Sequence, residues 1–373
     1  MRIIFTCGGT GGHIYPAIAV ARVLLEKKPD TQILFIGAED GMENKIVPHE
    51  HFRLETLKIS NYQRSLSPKA IVHNIVTLVH MSGSLRKAKK IIRAFSPDVI
   101  VGTGGYASFP ALKMGAKLGI PTAVHESNAV PGLTTRMVEK DVDRIMVSFE
   151  ACREKYTNPE KVTVTGTPVR EEFIYTKRED ARKAFSLDER PFVVSCWGSL
   201  GAREMNKKIT GFMKRECEAG EPFRHLHATG SSGWRWMPEY VKEHGVELEK
   251  HPAVDMREYI YDMPSVLAAA DLIICRAGAA TISEVCASGT PCIMVPSPNV
   301  TDNHQEKNAR VLEAAGAAVV IREKDCDGDT LFETAQALLH DPVRCAAMRK
   351  AAAELAVIDA AERICTVIRE LAR

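Results

Sequence analysis

Short apolar runs recur along the chain, each followed by a glycine- or proline-rich break and then by a stretch whose apolar residues return every three or four positions. Ile3-Ile-Phe-Thr-Cys7 reads as a buried strand, Gly8 to His13 as a turn, and Pro16 to Lys27 as a helix with Ile18, Ala21, Leu24 and Leu25 on one face. Gln32 to Gly37 is the next strand. The rhythm continues through Asp98-Val-Ile-Val101, the turn Gly102-Thr-Gly-Gly105, a helix near Ala111 to Leu118 and the strand Pro121-Thr-Ala-Val124. Arg144 to Val147 and Val162 to Val164 read as further strands.

Gly166-Thr-Pro-Val-Arg170 breaks this rhythm, and the charged stretch Glu171 to Arg190 reads as an exposed connection into a second unit. The strand Phe192 to Cys196, the loop Gly198-Ser-Leu-Gly201 and a helix from near Ala202 repeat the opening of the chain. Arg224 to Ala228, Leu272 to Cys275, Cys292 to Val295 and Ala318 to Ile321 supply the remaining strands, and Ala346 to Arg373 reads as helix, split near Val357-Ile-Asp359. The pattern predicts two doubly wound α/β units facing a cleft, with ligands beyond the carboxyl ends of the strands. The units are 1–165 plus the returning 358–373, and 166–357.

A chain of 373 residues, 45% hydrophobic and 26% charged, is long enough for two ordinary cores and has no composition of disorder. A net charge of +2 argues against a general polyanion binder, so no nucleic-acid partner is expected. Ten cysteines without a Cys-x-x-Cys pair fit reduced core thiols better than a disulfide frame or a zinc site. The first strand begins too soon for a signal peptide, and no segment reaches the roughly 20 apolar residues of a membrane span.

The densest candidate chemistry lies between Asp271 and Gln305, which reads as a nucleotide-sugar site in one piece. A strand breaks at Arg276-Ala-Gly-Ala-Ala-Thr281, where Gly278 is expected to permit a tight turn that aims helix amides at a diphosphate. Glu284, about one turn on, can accept both hydroxyls of a ribose. A second strand ends in Pro296-Ser-Pro298 and the polar Thr301-Asp-Asn-His-Gln305. The plain alternative is an ordinary strand-to-helix turn with a solvated acid.

Gly8-Gly-Thr-Gly-Gly-His13 also sits between strand and helix, but lacks the Gly-Lys-Ser/Thr of a P-loop. Gly102-Thr-Gly-Gly-Tyr-Ala107 fits Gly-x-Gly-x-x-Ala, and with Glu39 and Asp40 keeps a nicotinamide-dependent oxidoreductase open, although acid and glycines belong to different βα units. His13 can accept a proton from an attacking hydroxyl or simply bond phosphate or backbone. His125-Glu-Ser-Asn128 would bring two more acid/base groups and an amide to the same rim. The pairs His225/His227 and His49/His51 lack a third ligand at usual spacing, and Asp325-Cys-Asp327-Gly-Asp329 reads as a helix cap, so no required metal is expected. In Ser67 to Phe95, Ile71, Ile75, Leu78 and Val79 share a helical stripe, followed by Arg86, Lys87, Lys89 and Lys90. This is either a core-facing helix with a solvated basic end or a docking patch for an anionic membrane surface.

Taken together, Gly8 to Pro16, Gly102 to Pro110, His125 to Asn128, Gly166 to Arg170, Gly198 to Arg203, Cys275 to Glu284 and Asp302 to Gln305 resemble the MurG family of peptidoglycan N-acetylglucosaminyltransferases, in the family's order and over essentially the whole chain. The resemblance implies a GT-B fold of two Rossmann-like domains, with the donor in the C-terminal one and the acceptor in the N-terminal one. It implies inverting transfer of N-acetylglucosamine from its UDP donor to the 4-hydroxyl of an undecaprenyl-diphospho-muramoyl-pentapeptide, at the cytoplasmic face of the membrane as a peripheral protein, without a cofactor. The anionic membrane surface and other cell-wall synthesis proteins would be further partners. By the same resemblance Ile260 would bind uracil through its backbone, Glu284 the ribose, and Ser199, Arg170 and Ala279, Ala280 and Thr281 the diphosphate region. His304, Gln305 and Asn128 would touch the transferred sugar, Thr10, Gly11 and Gly12 would close over it, and His13 is the candidate base. Trp197 departs from the family's glycine, which raises the expectation of a displaced loop at Ser199, and His304 departs from the family's glutamine, which leaves Gln305 as the firmer sugar contact. An oxidoreductase and a sugar-nucleotide binding protein without turnover are the competing classes.

Overall fold

The computed structural model describes the backbone of residues 1–59 and 68–372, with their side chains except those of 68–76, 78 and 79. The chain divides into two compact units, Met1–Val169 with Val357–Arg373, and Arg170–Ala356.

The first unit holds β1 (Arg2–Thr6), β2 (Gln32–Ala38), β3 (Arg53–Leu57), β4 (Val99–Gly102), β5 (Thr122–Glu126), β6 (Arg144–Val147) and β7 (Val162–Val164) in the spatial order β3-β2-β1-β4-β5-β6-β7. All neighbours are parallel, with Ile3 opposite both Ile33 and Val99. Helices cover both faces, so the central strands are apolar on both sides rather than alternating. Ile4, Leu34, Ile36, Ile100 and Ile145 pack on one face, and Ile3, Phe5, Phe35, Val101 and Met146 on the other. The terminal helix Ala360–Leu371 adds Ile364, Cys365, Val367 and Ile368 to that second face. Each such fully buried aliphatic side chain contributes about 1.5–3 kcal/mol. The preceding helix, Pro342–Leu355, stays with the second unit; Gly166 (φ +74) lies against Val357, where a Cβ would meet the valine at 2.4 Å.

The second unit repeats the plan with β8 (Phe192–Cys196), β9 (Arg224–Ala228), β10 (Val254–Arg257), β11 (Leu272–Cys275), β12 (Cys292–Met294) and β13 (Ala318–Val320), ordered β10-β9-β8-β11-β12-β13 and again parallel. Both orders reverse direction beside the first strand, at β1/β4 and at β8/β11, which is where a doubly wound sheet opens a crevice at its carboxyl edge.

The structure differs from the sequence pattern in three places. The strands β3 and β10 are absent from that pattern; both are edge strands and mixed in polarity, as Arg53-Leu-Glu-Thr-Leu57 and Val254-Asp-Met-Arg257. The first helix spans Gly11–Lys27, beginning five residues before Pro16, because Thr10 takes the extended N-cap conformation and its carbonyl accepts the Ile14 amide. Pro16 therefore lies inside the helix, where its missing N–H leaves only the Gly12 carbonyl without an intrahelical donor.

The charged stretch 171–190 is largely exposed, as expected, but it is folded and anchored rather than a loose connection. It forms the short helices Glu172–Tyr175 and Arg178–Ala184, and Arg178 and Arg182 reach Asp271, at the start of β11, at 2.5 and 3.1 Å. Asp271 also accepts the Phe192 amide, and Arg178 donates to the Ala269 and Ala270 carbonyls. Charge attraction and backbone bonds thus tie this segment to the sheet it precedes. The ten cysteines are unpaired, and eight are buried.

All three tryptophans, Trp197, Trp234 and Trp236, lie in the second unit, so their fluorescence follows that unit alone. Asp271→Ala, which removes the carboxylate shared by Arg178, Arg182, Arg349 and the Phe192 amide, is expected to destabilise it by about 2–4 kcal/mol in urea unfolding monitored by tryptophan emission. A midpoint equal to wild type would refute the anchoring role.

Candidate functional site

The carboxyl edge of the second sheet collects most of the residues singled out from the sequence. Ser199 follows β8, Ile260 follows β10, Ala279 to Glu284 follow β11, and His304 and Gln305 follow β12. The helix Ala279–Ser288 has Gly278 as its N-cap, so Ala279, Ala280 and Thr281 supply first-turn amides that no carbonyl of the helix can accept. These amides and the helix dipole favour an anion. Gly278 itself has φ −68 and ψ 143, a conformation open to any residue, so the expected tight glycine turn is absent. A Cβ there would meet nothing nearer than Thr281 Oγ1 at 3.8 Å; what the glycine leaves is open space before the amides.

Glu284 is half-buried one turn further on, and desolvation raises its carboxyl to about 7 against the opposing charge of Arg170. Arg170 is exposed, with its guanidinium 5.2 Å from the Phe173 ring centre. Arg276 donates to the Val295 carbonyl at 3.0 Å and pairs with Glu323, joining the ends of β11 and β12. Gln305 accepts the Ser297 amide at 2.9 Å and His304 Nδ1 lies 2.8 Å from the Thr301 carbonyl, so both open their helix from a turn in which Asp302 and Asn303 are left-handed.

Trp197 sends its indole into the core, 4% exposed, with Arg276 6.0 Å from its ring. Gly198 (φ +84) and Gly201 (φ +77) make the loop that follows, with Ser199 exposed upon it. A Cβ on Gly201 would fall 2.1 Å from the Thr229 carbonyl, so the loop closes onto the end of β9. Ile260 is buried, leaving its backbone as its polar part.

In the first unit the two glycine turns, after β1 and β4, touch backbone to backbone. A Cβ on Gly105 (φ +80) would fall 2.0 Å from the Gly8 carbonyl, and one on Gly104 (φ +109) 2.6 Å from the His13 ring. Of the two glycines of the Gly-x-Gly-x-x-Ala match, Gly104 is thus filled by the His13 ring, and a Cβ on Gly102 would meet Leu112 of the following helix at 2.6 Å, so neither leaves room for a dinucleotide. Gly11, Gly12 and His13 form the first turn of their helix, with Thr10 exposed before it. His13 Nδ1 lies 3.1 Å from the Gly8 carbonyl and 3.4 Å from Thr10 Oγ1.

His125 and Glu126, expected as acid/base groups at that rim, are both buried and bonded within the protein. His125 is buried with Nε2 2.8 Å from the Gly166 carbonyl, and burial pushes its pKa down. Glu126 accepts from the Asn128 amide and side chain, the Gly132 amide at 2.7 Å and Thr135 Oγ1 at 2.8 Å. It thereby fixes the loop that carries half-buried Asn128, a role that its place beside His125 disguised in the sequence.

His225 and His227 are buried, each 2.7 Å from Ser195 Oγ, and His225 Nδ1 lies 2.9 Å from Glu216 Oε2. Among the described residues no cluster of three metal-ligating side chains occurs. Asp327 caps its helix by accepting the Thr330 amide at 2.8 Å. Ile71, Ile75, Leu78 and Val79 lie outside the described side chains. Of the basic residues in the same helix, Pro68–Phe95, Arg86, Lys87 and Lys90 are exposed and Lys89 half-buried, with Lys87 3.4 Å from Glu39. No described helix is long and apolar enough to cross a membrane.

These two sites stand on a chain with extensive relatives. Residues 3–147 match the glycosyltransferase family 28 N-terminal domain and residues 192–364 the C-terminal domain of the same family. The UDP-N-acetylglucosamine–N-acetylmuramyl-(pentapeptide) pyrophosphoryl-undecaprenol N-acetylglucosamine transferase of Acetivibrio thermocellus is 40% identical over 372 residues, covering 100% of this chain and 98% of the relative. The protein of the same name from Thermoanaerobacter sp. is 41% identical over 372 residues, covering 100% of both. The crystal structure of Acinetobacter baumannii MurG aligns with a TM-score of 0.77 at 24% identity, over 99% of each chain, which places the fold in the GT-B class of two Rossmann-like domains. Full-length identity to these transferases, together with both family domains in their order, means that the chain belongs to glycosyltransferase family 28 and within it to the MurG family.

Proposed function

We propose that this chain is an inverting glycosyltransferase that moves N-acetylglucosamine from UDP-N-acetylglucosamine to the 4-hydroxyl of the muramoyl sugar on an undecaprenyl-diphospho-muramoyl-pentapeptide. The observation that carries the reading is the 40% identity to transferases of that name over the full chain. The carboxyl edges of the two sheets supply groups of the right chemistry.

In the second unit the first-turn amides of Ala279, Ala280 and Thr281 would face the donor diphosphate, with Ser199 and Arg170 adding a hydroxyl and a cation. Glu284 would accept the ribose hydroxyls, and the Ile260 backbone would meet uracil. His304 and Gln305 would contact the transferred sugar. In the first unit Thr10, Gly11 and Gly12 would close over that sugar and Asn128 would contact it.

His13 is the proposed base. A carbonyl only accepts, so the Gly8 contact places the imidazole proton on Nδ1 and leaves a lone pair on Nε2. Nε2 takes the proton of the acceptor 4-hydroxyl as its oxygen bonds to the anomeric carbon. The carbon–oxygen bond to the diphosphate breaks from the opposite face, and UDP leaves with the electron pair. Amides and Arg170 stabilise the charge developing on UDP, and no step calls on a metal.

The membrane would be met peripherally through the basic end of the helix Pro68–Phe95, at its cytoplasmic, anionic face. The exposed Arg86, Lys87 and Lys90 support this reading.

UDP release from UDP-N-acetylglucosamine on adding the lipid-linked acceptor tests the reaction. His13→Ala is expected to lower kcat by about 10²–10⁴-fold with donor affinity within twofold, and turnover within a few-fold of wild type would remove His13 as base. Donor binding without release by the wild-type protein would instead favour a non-catalytic binding protein.

Glu284 adds a pH dependence. Ribose hydroxyls donate to the ionised carboxylate, so a group raised to about 7 must lose its proton for tight binding. Affinity for UDP-N-acetylglucosamine, measured by calorimetry without acceptor, is expected to be constant at alkaline pH and to weaken by up to about tenfold per unit as the pH falls below 7. Glu284→Gln should flatten that profile and weaken alkaline binding by about tenfold. A flat wild-type profile between pH 6 and 8 would contradict the assignment.

Flotation with anionic vesicles tests the basic patch. Changing Lys87, Lys89 and Lys90 together to Glu is expected to abolish recovery with the vesicles, as is high salt. Unchanged flotation of that variant would count against the patch.

A further inference from the structure

One fully buried carboxylate lies directly behind the glycine turn of the first unit. Glu43 opens the short helix Glu43–His49 and is 0% exposed. Its Oε1 accepts the Ala38 amide, at the end of β2, at 2.7 Å, and its Oε2 accepts the Gly9 amide at 3.4 Å. Three glycines leave it room. A Cβ on Gly8, Gly37 or Gly41 would fall 2.5, 2.4 or 2.2 Å from Glu43 atoms. Burying a carboxylate is unfavourable unless it is well bonded, so a chain that leaves three neighbours bare around one is holding that group in place.

The Gly9 amide and the Gly8 carbonyl belong to the same peptide plane. In a trans peptide they point in opposite directions, so a carboxylate that fixes the N–H also fixes the carbonyl. That carbonyl is the one 3.1 Å from His13 Nδ1. Gly9 has φ +89, a conformation open to glycine but imposed by no side chain of its own, so the orientation of this peptide is set from outside the turn, by the packing of Gly105 on the Gly8 carbonyl and by the Glu43 carboxylate on the Gly9 amide.

We propose that Glu43 is a positioning residue that acts through the Gly8–Gly9 peptide plane to hold His13 in the Nδ1–H tautomer, leaving Nε2 able to take a proton. The role rests on the transferase reading and on His13 as its base. Glu43 touches neither substrate nor His13. Its effect passes through one rigid amide, and it also ties that amide to the end of β2.

Two variants test it. Glu43→Gln keeps the shape but offers one acceptor and one donor, so one of the two backbone amides faces an N–H. Gly41→Ala leaves Glu43 intact and places a methyl against the end of a flexible side chain, which can move aside without disturbing the backbone. Two-dimensional long-range ¹H–¹⁵N spectra of histidine-labelled protein, recorded above the titration range of histidine and assigned with His13→Ala, report the tautomer without any turnover. The wild type is expected as Nδ1–H, and both variants as a mixture. In UDP-release assays kcat is expected to fall about 10–100-fold in both, with the donor KM within twofold.

An unchanged His13 tautomer in both variants, or an Nε2–H wild type, overturns the proposal. So does a loss of turnover shared with a raised donor KM and a collapsed melting curve, which would make Glu43 a merely structural residue. A wild-type protein that releases no UDP sinks the transferase reading instead, while the tautomer measurement still decides what Glu43 does.

Discussion

Because every strand in each sheet runs the same way, every strand ends on one edge and every following helix begins there. First-turn amides cannot bond within their own helix, so a parallel sheet concentrates unpaired donors and positive potential along that edge. The strand orders β3-β2-β1-β4 and β10-β9-β8-β11 reverse beside β1 and β8, so neighbouring connections leave in opposite directions and open a crevice there. The proposed donor residues after β8, β10, β11 and β12 and the glycine turns after β1 and β4 all follow from this single constraint. Side chains choose the ligand, but the backbone has already decided where one can bind.

Glycine does different work at each of these turns. Gly104 and Gly105 combine positive φ with contacts of 2.6 and 2.0 Å that a Cβ would make, so both conformation and space require them. Gly201 closes its loop onto the end of β9 in the same double sense. Gly278 has an unexceptional backbone and only open space before it, which suits the close approach of an anion but is not demanded by the chain. Sequence spacing treats all four alike, which is why Gly102-x-Gly-x-x-Ala107 suggested a dinucleotide. The structure answers that Gly104 admits the His13 ring and Gly102 the side chain of Leu112.

Much of the fold was legible because fully buried strands make unbroken apolar runs, as in Ile3-Ile-Phe5 and Leu272-Ile-Ile-Cys275. The edge strands β3 and β10 were not, since each is paired on one side only and carries charged residues that blur the signal. The arginines at 178 and 182 looked like a solvated run because their partner, Asp271, is some ninety residues away. In the site, the residues on loops at strand ends could be read from motifs, while those acting through the backbone could not. Glu43 has no local signature, and its meaning emerges only when Gly8, Gly37 and Gly41 are found around one carboxylate.

Three carboxylates near these edges differ in how many donors the protein already gives them. Glu126 receives three or more hydrogen bonds and so serves as a rivet for the loop carrying Asn128. Glu43 receives two backbone amides and holds a turn. Glu284, partly withdrawn from water, is opposed only by the more distant charge of Arg170, and no hydrogen bond among the described residues offsets its desolvation, which is why its carboxyl rises to about 7. A desolvated acceptor with no internal donor is costly to the fold on its own, and under the proposed function ribose hydroxyls would offset that cost. Donor count thus separates the two acids already bonded within the protein from the one left to the ribose under the proposed function.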